Sequence, residues 1–85
     1  MEDYVLKLEI LSPQKVLFDG EARLVRLPGA KAPFTVLYNH APIVTVLERG
    51  IVRWENAGGE SQLAIAGGFA KVEDNHVELC VETDG

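Results

Sequence analysis

Apolar and polar residues alternate along most of this chain, and the alternation predicts strands. Leu6, Leu8 and Ile10 fall between Lys7 and Glu9, the period of a half-buried strand. Ser12-Pro13-Gln14-Lys15 turns the chain into Val16-Leu17-Phe18. Asp19-Gly20 reads as a two-residue hairpin turn, with Gly20 set there for backbone geometry, and the return strand as Glu21 to Leu27. Further on, Val52 and Trp54 share a face opposite Arg53, Leu63 and Ile65 point inward, and Val77, Leu79 and Val81 alternate with His76, Glu78, Cys80 and Glu82. Gly50 marks a reversal after Glu48-Arg49. Gly67-Gly68 interrupts one long apolar stretch, which predicts a bulge, a bend or a close backbone approach.

The centre of the pattern is the stretch from Phe34 to Leu47, two apolar runs joined by Asn39-His40-Ala41-Pro42. Phe34, Val36 and Tyr38 share one face of the first run. Pro42 removes a backbone donor and pushes Ala41 toward an extended conformation, so the junction is a shaped loop that presents His40 at one end of a sheet. No apolar pattern at helical spacing is sustained over ten or more residues. About ten short strands, punctuated by Gly, Pro, Asn and Asp, predict an all-β fold: a two-sheet antiparallel β-sandwich with no substantial helix, in which each sheet buries its apolar face against the other.

At 85 residues with 47% apolar side chains, residues 1–85 are expected to form a single domain with one modest core. Eight basic and thirteen acidic side chains give a net charge of −5 with no Lys/Arg cluster, which argues against nucleic acid or anionic lipid as a partner. No apolar run approaches the ~20 residues that span a bilayer, and the acidic start Met1-Glu2-Asp3-Tyr4 is unlike a basic targeting peptide, so a cytosolic protein is expected. The single cysteine, Cys80, cannot form an internal disulfide and is expected to be an inert, buried or half-buried residue.

Catalytic chemistry finds little to stand on. His40 has the side chain of a general base or metal ligand, but a histidine in an Asn-His-Ala-Pro turn fits a backbone hydrogen bond or a partner contact better. His76 reads as an exposed strand residue. The two histidines and one cysteine lack a zinc spacing, the carboxylates form no sequence-anchored pair, and Gly67-Gly68 is followed by no GK[ST]. No catalytic, cofactor-binding or metal site is expected; function is expected to lie in a surface.

Several motifs together resemble one family. Leu8-Glu9-Ile10-Leu11-Ser12-Pro13, Val16-Leu17-Phe18-Asp19-Gly20, Leu27-Pro28-Gly29, Val36-Leu37-Tyr38-Asn39-His40-Ala41-Pro42 and Ala64-Ile65-Ala66-Gly67-Gly68-Phe69 stand in the order seen in the N-terminal β-sandwich domain of the epsilon subunit of the F-type ATP synthase. The resemblance implies a non-catalytic rotor part of the central stalk. Such a subunit binds the gamma subunit and the ring of c subunits, helps couple ion-driven rotation to ATP synthesis, and sits at the cytoplasmic face of a bacterial membrane without inserting into it. The 85 residues correspond to the sandwich alone, without the C-terminal helical hairpin of family members. The segment Lys31-Ala32-Pro33 departs from the acidic, glycine-rich loop usual there, and Tyr38 replaces the proline often found two residues before the histidine.

Carried onto matching positions, the resemblance implies that Ser12, His40 and Thr45, with Tyr38 and Ile43 beside them, face gamma, and that the loop Gly29-Ala30-Lys31-Ala32-Pro33 approaches the c ring. Contact of that extent predicts an exposed apolar patch near Tyr38, His40, Ile43 and Thr45. The alternative is a generic β-sandwich module binding protein or carbohydrate, in which Trp54, Tyr4 or Tyr38 would form the sugar platform. An enzyme pairing His40 with Glu48 ranks below both.

Overall fold

The computed structural model describes residues 4–84; Met1, Glu2, Asp3 and Gly85 lie outside the described residues, including the ends of the span read as one domain. Nine strands are present among them: β1 (Leu6–Leu11), β2 (Val16–Ala22), β3 (Leu24–Leu27), β4 (Phe34–Val36), β5 (Ile43–Leu47), β6 (Gly50–Asn56), β7 (Gly59–Ile65), β8 (Gly67–Glu73) and β9 (His76–Glu82). They form the all-β sandwich that the alternation predicts. The larger sheet has the order β2-β1-β9-β8-β5 and the smaller one β4-β3-β6-β7. Every pairing is antiparallel except β1 with β9, which run parallel with Leu8 opposite Val77 and Ile10 opposite Leu79.

The core lies between the sheets. From the larger sheet come Leu6, Leu8, Ile10, Val77, Leu79 and Val81, all inward by period; from the smaller come Val25, Leu27, Val36, Val52, Trp54 and Ile65. Phe18 joins the layers by packing its ring 4.9 Å from that of Trp54. The Trp54 Nε1–H is buried without an acceptor among the described residues.

Two local readings are corrected by the pairing. Asp19-Gly20 is not a turn: β2 runs straight through it, with Asp19 opposite Glu9 and Gly20 opposite Leu8. The β1–β2 reversal is made by Ser12 to Lys15, where the Ser12 N–H donates to the Lys15 carbonyl at 2.9 Å and the Ser12 hydroxyl accepts from the Gln14 and Lys15 amides. A turn that satisfies its own backbone groups through a serine leaves Asp19-Gly20 free to extend. Gly20 instead leaves room for a neighbour, since a Cβ there would stand 3.0 Å from the Phe18 ring. The predicted return strand is likewise two strands, because the chain changes sheet at Arg23, whose N–H donates to the Glu55 carbonyl of the smaller sheet. Ala66 makes the corresponding corner between β7 and β8, its N–H donating to the Glu82 carbonyl.

Candidate protein interface

The outer face of the larger sheet is divided by the register. Val46 stands opposite Phe69, Phe69 opposite Cys80, Cys80 opposite Leu11, and Leu11 opposite Val16. These five outward side chains, one from each strand, form an unbroken apolar row across the sheet. Val46, Phe69 and Val16 are 50%, 60% and 59% exposed, far more than a core role allows. The next row is Val44, Lys71, Glu78, Glu9 and Asp19, and the one beyond it holds Glu73, His76, Lys7 and Glu21, so charge takes over within one strand repeat. Within the charged rows His76 Nε2 lies 2.7 Å from Glu9 Oε1, and Lys7 Nζ lies 3.3 Å from Asp19.

The apolar row borders a shallow hollow of about 580 Å³, lined by Leu11, Pro13, Val46, Gly68, Phe69 and Cys80 among others. Its floor is shaped by a close approach of backbones: a Cβ on Gly68 would stand 2.3 Å from the Cys80 carbonyl oxygen. A concave apolar site rimmed by charge is the form of a protein contact, and exposed apolar continuity of this kind is what marks interaction sites on soluble domains.

Cys80, expected to be buried or half-buried, is exposed. It occupies an outward position of β9, and the alternation that buries Leu79 and Val81 necessarily turns it to solvent.

The predicted contact residues are spread over the sandwich. Ser12 sits in the β1–β2 turn beside the hollow. Tyr38 and His40 sit in the β4–β5 connection at the opposite end of the same sheet, where Asn39 bonds to Asn75 and Asn75 in turn accepts from Lys7 at the start of β1. Ile43 and Thr45 lie on the inward, half-buried side of β5; the exposed apolar residues of that strand are Val44 and Val46. Exposed apolar side chains stand near the Tyr38–His40 turn, in Leu37, Tyr38 and Val44 with Tyr4 against Tyr38, and further ones continue through Val46 and Phe69 toward the Ser12 end. The first apolar run is also shorter than expected: β4 ends at Val36, and Leu37 and Tyr38 belong to the connection.

The loop Gly29 to Pro33 lies along the free edge of β5. Gly29 forms an isolated bridge with Leu47, and the Ala30 N–H donates to the Val46 carbonyl at 2.9 Å. Gly29 is buried, whereas Ala30, Lys31, Ala32 and Pro33 are exposed. The Phe34 ring packs at Gly29, where a Cβ would meet it at 3.0 Å, and its centroid is 6.3 Å from that of His40. The Phe34 ring thus links the loop to the His40 turn, while Ala30 binds Val46, which lines the same hollow as Ser12. Gly50 packs against Pro28, leaving 2.8 Å for a Cβ, and Gly67 begins β8 just past the Ala66 corner.

His40 itself is tied locally: its Nδ1 lies 2.7 Å from the Ala41 carbonyl and its backbone N–H donates to Leu37 at 3.0 Å. Trp54 belongs to the core at 6% exposure, which removes it from any sugar platform; Tyr4 and Tyr38 pack edge to face at 5.1 Å. Among the described residues no group of three or more His, Cys, Asp or Glu is arranged to hold a metal ion. No helix in them is long and apolar enough to cross a membrane. The apolar row was the feature missed in the sequence, because its five members come from five strands whose order only the pairing reveals.

Comparison with known proteins follows the same architecture. Residues 5–83 match the family model described as ATP synthase, Delta/Epsilon chain, beta-sandwich domain. The chain is 33% identical over 78 residues to the ATP synthase epsilon chain of Helicobacter acinonychis, covering 92% of this chain and 63% of that one. It is 38% identical over 79 residues to the ATP synthase epsilon chain of Pelotomaculum thermopropionicum, covering 93% and 59%. The chain spans only about three fifths of the length of these relatives. Among solved structures, a chain of the Euglena gracilis mitochondrial ATP synthase, in a structure that includes the c-ring, superposes with a TM-score of 0.86 at 24% identity over 95% of this chain and 52% of its own. A chain of the Tetrahymena thermophila mitochondrial ATP synthase central stalk and c-ring superposes at 0.75 with 16% identity over 91% and 63%. At those identities the likeness is one of fold.

Proposed function

This chain belongs to the family of the ATP synthase delta/epsilon chain beta-sandwich domain, and on that footing we propose that residues 1–85 act as a single, non-catalytic sandwich domain in the central stalk of an F-type ATP synthase. In this reading it binds the gamma subunit and the c-subunit ring, turns with them, and helps couple ion-driven rotation to ATP synthesis at the cytoplasmic face of a bacterial membrane. The observation that carries the reading is the apolar row Val46-Phe69-Cys80-Leu11-Val16 with its hollow, exposed on a sheet whose other outward rows carry charge. We assign gamma contact to Ser12 beside that hollow and to Tyr38, His40, Ile43 and Thr45 along β5 and its entry, and c-ring contact to Gly29, Ala30, Lys31, Ala32 and Pro33.

Size and stiffness fit the role. A stable interface takes ~600–1,000 Å² from each partner, which is roughly a tenth to a fifth of the 5254 Å² surface of this chain. Two such contacts leave most of the surface free. A part that passes torque must deform little, and a closely packed interior has low compressibility.

The test is complex formation between the purified chain and its cognate gamma subunit, followed by size-exclusion chromatography, with Phe69→Glu, His40→Glu and Tyr38→Glu as probes. The parent is expected to co-elute with gamma, and the probes to weaken the complex. A separate co-purification with detergent-solubilised c ring, using Lys31→Glu, examines the loop. No complex with gamma at micromolar concentration would overturn the reading.

A further inference from the structure

The β4–β5 connection, Leu37 to Pro42, leaves one sheet and enters the other, and it carries Tyr38 and His40. It holds itself in shape by one backbone turn bond, from the His40 N–H to the Leu37 carbonyl, and by the contact of His40 Nδ1 with the Ala41 carbonyl. Among the described residues its only hydrogen bonds to the rest of the fold are two with Asn75. The Asn39 N–H donates to Asn75 Oδ1 at 2.6 Å, and Asn75 Nδ2 donates to Asn39 Oδ1 at 3.1 Å. Asn75 is itself anchored, because its carbonyl accepts from the Lys7 N–H of β1 at 2.9 Å.

Both asparagines are in the left-handed region, Asn39 at φ 65° and Asn75 at φ 62°. Asparagine is one of the few side-chain-bearing residues that enters this region readily, and its amide offers a donor and an acceptor together. Glycine would satisfy the backbone at either position, and at Asn75 it would suit the turn better still. Asp74 and Asn75 both have positive φ between the paired residues Glu73 and His76, a two-residue hairpin turn that favours Asn-Gly or Asp-Gly. The turn therefore does not require the Asn75 amide; the amide is used across the sandwich.

We propose that Asn75 is a positioning residue: paired reciprocally with Asn39, it latches the Tyr38–His40 turn to the end of the larger sheet in the pose that meets its partner. The proposal rests on the assignment of Tyr38 and His40 to gamma contact. A turn free to sample other poses binds only through its competent fraction, so loosening the latch lowers affinity without removing any contacting side chain.

The experiment pairs amide exchange on the chain alone with gamma binding, in the parent, Asn75→Gly, Asn75→Asp, Asn39→Gly and the double glycine variant. In Asn75→Gly the Asn39 amide is expected to exchange roughly fivefold faster or more, the loss of one net hydrogen bond. The Val77 and Leu79 amides and the melting temperature stay as in the parent, and the gamma dissociation constant rises several-fold. Asn75→Asp keeps an acceptor for the Asn39 N–H and retains that protection. The double glycine variant binds no more weakly than Asn75→Gly, the coupling expected of a pair. Unchanged Asn39 exchange in Asn75→Gly overturns the latch, and so does faster exchange with unchanged affinity. If the parent itself forms no complex with gamma, the stalk reading falls instead and the exchange comparison alone judges the latch.

Discussion

Gly68 is the position where a single methyl group is expected to do the most harm. A Cβ built there stands 2.3 Å from the Cys80 carbonyl oxygen and 2.8 Å from Val81 Cα, and both obstacles are backbone. Ordinary contact begins near 3.4 Å, so β8 and β9 would have to separate by about 1 Å. Neither strand can retreat freely, because β9 is also paired to β1 and β8 to β5. The backbone adds a second term: φ is +154°, which a side-chain-bearing residue rarely adopts. Taking ~1–3 kcal/mol for the conformation and ~1–3 kcal/mol for overpacking against a rigid neighbour, Gly68→Ala is expected to destabilise by roughly 2–6 kcal/mol. A domain of this length has a total stability of about 4–13 kcal/mol. The melting temperature should then fall by roughly 10–50 °C, at ~4–8 °C per kcal/mol. Urea unfolding followed by far-ultraviolet circular dichroism and Trp54 fluorescence measures this, with coincident transitions confirming two-state behaviour. Gly59→Ala is the control, since Gly59 has φ +123° but open space around its missing Cβ; it isolates the backbone term and should lose ~1–3 kcal/mol. A Gly68→Ala loss no larger than that of Gly59→Ala would refute the close-approach reasoning.

Other outcomes follow from the same structure. Leu8→Ala removes a fully buried side chain at the centre of the core and is expected to cost ~2–5 kcal/mol by urea titration. Phe69→Ser, at a position 60% exposed, should change stability by less than ~1 kcal/mol while weakening the gamma complex; a large stability loss with intact binding would contradict its assignment to the interface. The Arg49 guanidinium, first through its hydrogen bond and second through its charge, holds the Asp84 carboxyl below the usual range. A carboxyl lowered by folding stabilises the fold above its unfolded pKa, and that contribution disappears as pH falls through the folded one. Arg49→Ala should therefore return Asp84 to an ordinary titration, and equal Asp84 midpoints by carbon-detected NMR in parent and variant would exclude the pairing. Finally, with a net charge of −5 the chain should not bind anionic vesicles at physiological salt, and retention in vesicle sedimentation would count against that.

Much of the fold was legible along the chain. The alternation through Leu6-Leu8-Ile10, Val52-Trp54 and Val77-Leu79-Val81 names inward residues that are buried in the structure. Such runs are legible because a strand side chain points to one face or the other by parity alone. Asp19-Gly20 misled because a turn signal is only local, and the Ser12 turn had already reversed the chain, leaving those two residues opposite Glu9 and Leu8. The second apolar run is ambiguous for a different reason. Ile43, Val44, Val46 and Leu47 are all apolar, so parity gives no contrast; the core took Leu47 with half-buried Ile43 and Thr45, leaving Val44 and Val46 outside.

The all-β character, the positions of the main turns and most of the core membership follow from the sequence by itself, because each depends on neighbours one to four residues away. Which strand lies beside which does not, since pairing joins residues distant along the chain. Only the tertiary structure decided that β1 runs parallel to β9, that the sheets exchange strands at Arg23 and Ala66, and that Asn39 meets Asn75. The candidate interface belongs wholly to that second class. Val46, Phe69, Cys80, Leu11 and Val16 are ordinary outward residues in five separate runs, and they become one apolar surface only when register sets them side by side.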